Sequence, residues 1–200
     1  PFDPDNPSGA YDRTKARACL EVMRLAREGL PAVIVCPSGI IGPYDYRGSE
    51  MGSMVRRWMR PRRHVLFDGG FNFVDVRDVA EGIVAAGARG RVGESYLLPG
   101  TWVSLKDLRG AVQDATGAKR RAIRLPARLV LLGVRLLSGV LRIVGHRPAF
   151  TRYSIETVLS NSRTATDKAK TELGYAPRPL SETIRDTVAW WSRHPGLRPR

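Results

Sequence analysis

The stretch Pro31-Ala-Val-Ile-Val-Cys36 decides the fold class, because it is a short, continuously apolar run that follows a long helical pattern. Such a run predicts a central strand covered on both faces, as in a parallel sheet. Pro37-Ser-Gly-Ile-Ile-Gly-Pro43 comes directly after it and predicts an irregular loop at the carboxyl end of the strand. Ligands of open α/β sheets bind at that end, although an ordinary turn between strand and helix explains the loop equally well.

The helical pattern before this strand runs from about Ala10 to Glu28. One apolar stripe on the helix is predicted to face the core: Tyr11, Ala18, Val22 and Leu25. A helix followed by a buried strand is the repeating unit of α/β proteins, so an α/β fold is predicted.

Tyr11 and Lys15 lie four residues apart in this helix and therefore share one face, about one turn from each other. A free phenol has a pKa of about 10, and a neighbouring ammonium favours the phenolate and lowers that value toward neutral pH. Such a pair can pass a proton to or from a substrate hydroxyl while a cofactor moves hydride. The simpler alternative is a tyrosine that anchors the helix to the core, and the spacing alone does not separate the two.

The charge balance is unusual, since 33 Lys and Arg residues against 19 Asp and Glu give a formal net charge of +14. The basic residues are scattered along most of the chain, which favours a solvated basic surface over one nucleic-acid patch. Two cysteines, Cys19 and Cys36, provide neither a disulfide framework nor metal-ligand spacing and fit a reducing compartment. We therefore expect a cytoplasmic protein with no metal site and no nucleic-acid partner.

Capping patterns predict two helices in the middle of the chain. Asp75 and Asp78 fit the N-cap and the third position of a helix that reaches Ala86, and this structural role is preferred to catalysis. Ser104-Leu-Lys-Asp107 begins a second helix, which ends near Gly117. The other predicted elements are a helix at Ser49–Trp58, strands at 64–67 and 71–74 on either side of a turn, strands at 95–98 and 122–125, helices at 151–159 and 168–173, and a last helix capped by Ser181 and ended by Pro195.

Residues 126–145 form a strongly apolar segment that carries Arg128, Arg135 and Arg142 at steps of seven. Seven residues are nearly two helical turns, so the arginines form one basic line on an apolar helix. Three arginines argue against a helix that spans a membrane. Two alternatives are left: a helix that contacts a membrane surface and, preferred, a core-packed helix of a substrate-binding lobe.

Four sequence blocks follow one another over nearly the whole chain: Tyr11-x-x-x-Lys15, Val33-Ile-Val-Cys-Pro37-Ser-x-x-x-Gly42-Pro43, Phe73-Val-Asp-Val-Arg-Asp78-Val-Ala80, and Lys168-Ala169 with Glu172-Leu-Gly-Tyr-x-Pro177. Their order and spacing resemble the later part of an extended short-chain dehydrogenase/reductase of the NAD-dependent epimerase/dehydratase family. Within that family the pattern is most similar to the dihydroflavonol-reductase-like and hopanoid-associated epimerase-like branch.

The resemblance implies roles for the matched positions. Tyr11 is expected to be the catalytic acid/base, and Lys15 to lower its pKa and hold the ribose hydroxyls of the nicotinamide cofactor. Pro37 and Ile40 are expected to border the nicotinamide of NAD or NADP. The glycine-rich turn that seats the pyrophosphate and the Ser or Thr that polarises the substrate oxygen are expected upstream of Pro1. The chain is therefore expected to be the C-terminal part of a longer enzyme and to be inactive alone.

One departure from the family pattern bears on the substrate. Sugar-nucleotide epimerases of the family usually carry an arginine that grips the diphosphate shortly before the Phe-x-x-Val-x-Asp block, where this chain has Gly70-Phe-Asn72. A small or apolar carbonyl or hydroxyl compound is therefore expected as the substrate. Arg63 and Arg77 are the residues that could replace the missing arginine.

The predicted architecture is α/β, with the C-terminal part of a Rossmann-type parallel sheet in residues 1–90 and a smaller, helix-rich substrate-binding lobe mostly in residues 91–200. The strand at 95–98 is a further candidate member of the sheet. The predicted function is an NAD(P)-dependent oxidoreductase or epimerase, alone or as a homo-oligomer, with a small-molecule substrate. The alternative is a non-catalytic basic module that binds nucleic acid or, through residues 126–145, a membrane surface.

Overall fold

The computed structural model describes residues 2–5, 9–118, 121–143, 152–159 and 166–197, which form an α/β fold as predicted. The helices are α1 (Ala10–Arg27), α2 (Glu50–Trp58), α3 (Val76–Arg89), α4 (Leu105–Thr116), α5 (Ala127–Ile143), α6 (Arg152–Leu159), α7 (Asp167–Leu173) and α8 (Leu180–Arg193). The strands are β1 (Ile34–Pro37), β2 (Gly39–Ile41), β3 (Val65–Leu66), β4 (Gly70–Asp75), β5 (Ser95–Leu98), β6 (Thr101–Ser104) and β7 (Ile123–Arg124).

The described strands pair as three small sheets. β1 pairs in parallel with β5, and β3 pairs in parallel with β7. β4 lies between β2, to which it is parallel, and β6, to which it is antiparallel. The two strands predicted on either side of the turn at 68–70 therefore exist, but each pairs with a strand elsewhere in the chain.

β1 corrects the prediction of a central strand covered on both faces. Its residues are half-buried except for the exposed Pro37, and within the described residues its ladder partner is β5 alone. Helix α3 packs against β1 and β5, but α1 adds little cover. An apolar run shows that a strand prefers burial, and the elements that pack on it decide how much burial it obtains.

The chain crosses twice between the sheet of β1 and β5 and the sheet of β2, β4 and β6. Ser38 joins β1 to β2, and Pro99-Gly100 joins β5 to β6. The two crossings touch, since the Gly100 amide donates to Ser38 Oγ at 3.4 Å. Gly100 also lies so close to β4 that an added Cβ would stand 1.9 Å from the carbonyl oxygen of Phe73. A residue without a side chain is therefore required at this crossing.

Two apolar clusters form the core. One surrounds α4 and α8 and contains Ile41, Met54, Trp58, Phe73, Leu108, Val112, Ile184 and Val188 among others. The second contains Val74, Val79, Ala86, Tyr96, Leu98, Ala169, Leu173 and Tyr175. Because side chains alternate along a strand, β4 gives Phe73 to the first cluster and Val74 to the second. Both clusters draw on residues before and after residue 90, and the division into two domains stays a prediction.

Helix α1 has the predicted bounds but not the predicted orientation. Its buried residues are Ala16 and Ala26, whereas Tyr11 and Ala18 are exposed. The contact face is thus rotated by about 100° from the predicted stripe, the angle of one residue step. Two small side chains allow close approach, and Ala26 Cβ lies 3.8 Å from the position that a Cβ on Gly93 would take. The prediction that Tyr11 begins a buried stripe is therefore wrong.

Capping signals located several helices correctly. Ser104 Oγ accepts a hydrogen bond from the Asp107 amide at 3.1 Å, and Gly117 ends α4 in the left-handed conformation. Ser181 is not the cap of α8, because the helix already begins at Leu180 after Pro179. Thr151, the predicted cap of α6, lies outside the described residues.

The apolar segment predicted at 126–145 contains α5, which has two different faces. Val130 is buried, and Leu131 and Val134 pack against the cluster around α4, as expected for a core-packed helix. The side chains of 137–143, including Arg142, lie outside the described residues. No helix in the described part of the chain is long and apolar enough to cross a membrane.

Candidate active site

Tyr11 and Lys15 form a pair on the exposed side of α1. The Lys15 Nζ atom lies 5.8 Å from the centroid of the Tyr11 ring. The Tyr11 residue is 62% exposed and Lys15 is also exposed. The phenol and the ammonium are therefore adjacent and accessible to a ligand, which is the arrangement that the spacing of four residues predicts.

Pro37 and Ile40 lie where β1 ends and β2 follows. Pro37 is the exposed last residue of β1, and Ile40 is the middle residue of β2 with 37% of its surface exposed. The segment is only partly the irregular loop that was predicted, because Gly39–Ile41 pairs in parallel with Phe73–Asp75 of β4. An apolar surface at the carboxyl end of a parallel strand fits the flat ring of a nicotinamide.

The carboxyl end of α1 lies near the amino ends of β1 and β5, which is the opposite end of β1 from Pro37. Ala26 lies beside Gly93, just before β5, and the Gly93 amide donates to the Ala32 carbonyl just before β1. Lys15 and Tyr11 lie eleven and fifteen residues back along α1, or about 17 and 23 Å at 1.5 Å per residue. Tyr11 and Lys15 are therefore well separated from the amino ends of β1 and β5.

Asp75 caps α3, as predicted, and is the buried centre of a partly exposed ion-pair network. Its Oδ1 accepts the Arg77 amide at 2.8 Å, and its Oδ2 lies 2.7 Å from the Arg77 guanidinium. The same guanidinium lies 2.8 Å from Asp186 of α8. Burial raises the pKa of the Asp75 carboxyl, but hydrogen bonds from Arg77 and Thr183 outweigh it, so the pKa lies below its ordinary value.

Asp78 occupies the predicted third position of α3 but pairs with a distant residue. Its carboxylate accepts the Arg178 amide at 2.9 Å and the Arg178 Nε at 2.7 Å. The Asp78 side chain is buried, and Arg178 is the cation that compensates its charge. Neither Asp75 nor Asp78 is free for catalysis, which supports the structural role preferred for them.

The first part of the chain is similar to a known protein family. Residues 1–98 match the model of the NAD dependent epimerase/dehydratase family. These residues, just under half of the chain, resemble that family.

Two curated relatives can be aligned with nearly the whole chain. "Sterol demethylase protein B" of Methylococcus capsulatus is 32% identical over 191 residues, which is 94% of this chain and 58% of the relative. "Putative dihydroflavonol 4-reductase" of a Synechocystis species is 29% identical over 190 residues, which is 93% of this chain and 55% of the relative. The chain therefore spans little more than half the length of these curated relatives.

Solved structures of similar fold show the same coverage. The crystal structure of gox2253 has 35% identity and a TM-score of 0.79, over 99% of this chain and 60% of that one. The enzyme WbmF of Bordetella bronchiseptica, solved in complex with NAD+ and UDP, has 19% identity and a TM-score of 0.72, over 96% of this chain and 55% of that one. Because its sequence identity is low, the similarity to WbmF is a similarity of fold alone.

The family block near the end of the chain holds α7 against β5. Lys168 Nζ donates to Glu94 at 2.6 Å and to the Ser95 carbonyl at 2.9 Å, and it lies 4.6 Å from the ring centroid of Tyr96. The buried Tyr96 hydroxyl donates to Glu172 at 2.5 Å. These contacts give the block a structural role in this fold.

Tyr175 of the same block fixes the crossing between β5 and β6. Its hydroxyl donates to the Pro99 carbonyl at 3.0 Å. Burial, and secondly the negative charge of Asp78, raise the pKa of the Tyr175 phenol well above its ordinary value. The buried phenol therefore serves as a hydrogen-bond donor that holds this crossing in place.

One glycine pattern within the chain lies in the wrong structural setting for a pyrophosphate-binding turn. Gly87-x-x-Gly90-x-x-Gly93 resembles the turn that binds a cofactor pyrophosphate, but it leads from the end of α3 toward β5 and not from a strand into a helix. The Gly90 amide donates to the Ala86 carbonyl at 2.8 Å, and the Gly93 amide to the Ala32 carbonyl at 2.9 Å. These amides are not available to neutralise phosphate.

The ion pairs of Asp75 predict a stability that depends on pH. The carboxyl has a lower pKa in the folded state than its value of about 3.9 in an unfolded chain, so its contribution is present above that value and is lost as the pH falls through the folded-state pKa. Asp75→Asn keeps a capping oxygen but removes the charge. At pH 7 we expect the free energy of unfolding of the variant to be about 1–3 kcal/mol lower than that of the unsubstituted protein. This difference should shrink as the pH falls, because the unsubstituted protein then loses the ion pairs of Asp75.

Urea unfolding of the two proteins at pH 7 and below pH 4 checks this expectation. The matched control is Asp107→Asn, which changes an exposed carboxylate beside the Ser104 cap and leaves the buried network intact. An equal acid dependence in the Asp75→Asn variant and the unsubstituted protein would contradict the assigned ion pairs.

Proposed function

We propose that this chain carries the proton-transfer residues of an NAD(P)-dependent oxidoreductase or epimerase that acts on a carbonyl or hydroxyl group. The observation that carries the proposal is the exposed pair on α1, with the Lys15 ammonium 5.8 Å from the Tyr11 ring centroid. The phenol oxygen of Tyr11 gives a proton to a carbonyl oxygen during reduction, or accepts one from a hydroxyl during oxidation. Lys15 stabilises the phenolate that forms.

The cofactor is NAD or NADP, and it supplies or accepts the hydride. Lys15 holds the ribose hydroxyls, and the exposed surfaces of Pro37 and Ile40 border the nicotinamide. These residues fit the nicotinamide end of the cofactor, because an apolar strand end favours a flat ring and an ammonium favours hydroxyl oxygens. The family model and the nicotinamide in the WbmF complex support this choice of cofactor.

The substrate is a small or apolar compound. Arg77, one of two candidates to replace a diphosphate-binding arginine, is compensated by the carboxylates of Asp75 and Asp186. A guanidinium held by two carboxylates attracts a further anion weakly. The Methylococcus relative is named for a sterol and the Synechocystis relative for a dihydroflavonol, which supports an apolar substrate class. Loss of hydride transfer in a Tyr11→Phe variant of the complete enzyme, followed by the absorbance of the reduced nicotinamide, is the test of the proposed function.

In the complete enzyme, Lys15→Met separates the two proposed roles of the lysine, because methionine keeps an unbranched side chain without the charge. We expect the rate to rise at a higher pH than in the unsubstituted enzyme, since the phenolate has lost its neighbouring cation. We also expect weaker cofactor binding, by about 10-fold, because a charged hydrogen bond is lost. Rate against pH and cofactor titration measure the two effects. An unchanged pH profile together with unchanged cofactor affinity would assign Lys15 to the solvated surface.

A further inference from the structure

The outer face of α5 is apolar and exposed. Leu129, Leu132 and Leu136 are 53%, 51% and 67% exposed, while Val130 on the opposite side is buried. The three leucines follow at steps of three and four and therefore lie on one face of the helix. An exposed leucine costs little by itself, but three on one helix face form a surface that gains free energy when another surface covers it.

Two arginines border this leucine face. Arg128 and Arg135 are exposed and seven residues apart, so both lie within about 60° of Leu132 around the helix. No acidic residue lies near these arginines in the sequence, because residues 115–155 contain no Asp or Glu. The surface therefore joins apolar side chains to positive charge, as amphipathic helices at membrane interfaces do.

We propose that α5 docks the protein onto the surface of an anionic membrane, with Leu129, Leu132 and Leu136 in the acyl boundary and Arg128 and Arg135 on lipid phosphates. The helix lies in the plane of the interface, because its inner face stays packed on the core through Leu131 and Val134. Burial of the leucines and attraction of the arginines to anionic headgroups act together. The proposal stands on this surface alone and is independent of the proposed enzymatic function.

Charge and composition disfavour the other occupants of this face. A second copy related by a twofold axis would bring Arg128 and Arg135 of both copies together, with no acidic residue on either helix to compensate them. Nucleic acid would bind the arginines but would leave the leucines exposed to water. An anionic lipid surface is the occupant that satisfies both kinds of side chain.

Flotation with lipid vesicles tests the proposal. The purified protein is mixed with vesicles of phosphatidylcholine and phosphatidylglycerol, or of phosphatidylcholine alone, and the bound fraction is measured. We expect binding to the anionic vesicles at low salt and a strong loss at about 1 M NaCl, where charges are screened beyond about 3 Å. Arg128→Gln with Arg135→Gln should weaken binding by roughly 20-fold, and Leu132→Gln with Leu136→Gln by about 30-fold or more.

Matched variants elsewhere on the surface control for charge and apolarity. Ile83 and Val84 are exposed apolar residues of α3, and Arg185 is an exposed arginine of α8. Their replacement by Gln should leave vesicle binding within about twofold. Glutamine is a good helix former, so circular dichroism should show that every variant keeps its fold.

Three results would each overturn the proposal. The first is no binding of the unsubstituted protein to anionic vesicles at low salt. The second is equal binding by the α5 variants and the unsubstituted protein. The third is a dimer, or a complex with duplex DNA, that depends on α5 while vesicle binding does not.

Discussion

In the complete enzyme, Tyr11→Phe should lower turnover by about 10²-fold or more while the protein keeps its fold. The substitution removes one hydroxyl from a ring that is 62% exposed, so it leaves no cavity and no unpaired buried atom. The nicotinamide should still bind, but the substrate oxygen should lose the group that is proposed to give or take its proton. The measurement is the rate of hydride transfer with the carbonyl compound that the unsubstituted enzyme reduces, together with the cofactor dissociation constant.

Tyr46→Phe is the control for this experiment. Tyr46 is 64% exposed, like Tyr11, and its ring packs edge-on against Trp190, a contact that phenylalanine keeps. Its turnover should stay within about threefold of the unsubstituted enzyme. Near-normal turnover in a well-folded Tyr11→Phe protein would remove Tyr11 from the mechanism.

Gly100→Ala should destabilise the protein by about 3 kcal/mol or more. The added Cβ would stand 1.9 Å from the Phe73 carbonyl oxygen, 2.6 Å from the Phe73 carbonyl carbon and 2.7 Å from Val74 Cα. All three are backbone atoms of β4, which is paired on both sides and has little freedom to shift. For a chain of this size the loss corresponds to a fall in melting temperature of about 6–12 °C, measured by circular dichroism.

Gly110→Ala is the matched control, because it makes the same chemical change where there is room. Gly110 lies inside α4, and a Cβ added there meets no atom within 4 Å. Alanine is the better helix former, so this variant should be more stable by roughly 0.5–1 kcal/mol. Equal melting temperatures for Gly100→Ala and the unsubstituted protein would mean that β5 does not cross to β6 against β4.

The elements that sequence predicted well are those whose signals are local. Ser104 and Gly117 bound α4 through contacts inside the helix and its caps, and Asp75 caps α3 in the same way. These hydrogen bonds join residues within a few positions of each other, so the sequence contains both partners in one short window. Helix and strand bounds were accordingly close over most of the described chain.

The elements that sequence missed depend on distant partners. β2 is a strand because Gly39–Ile41 pairs with β4, more than thirty residues later, and β6 exists through its antiparallel ladder with β4. The orientation of α1 likewise depends on what Ala16 and Ala26 touch. Hydrophobic periodicity shows that a helix has a face, but the packing partners select which face is covered.

The candidate site also contains features with a local sequence signal and features that depend on distant residues. The adjacency of Tyr11 and Lys15 follows from helical spacing and was predictable. The compensation of Asp78 by Arg178 joins residues 100 positions apart and has no local signal. The roles of Tyr11, Lys15, Pro37 and Ile40 stay predictions until the variants are measured, as do the choice between NAD and NADP and the cytoplasmic location.

The composition of the second core cluster has a consequence for the order in which the protein can fold during synthesis. Val74, Tyr96 and Leu98 reach their final contacts only when Leu173 and Tyr175 arrive, more than seventy residues later in the chain. A ribosome adds residues at about 5–20 per second, so these apolar side chains stay exposed to solvent for several seconds before the residues that bury them are synthesised. Contacts of such long sequence separation also slow the folding of the released chain. The nascent protein is thus most exposed to chaperones and to aggregation before α7 emerges.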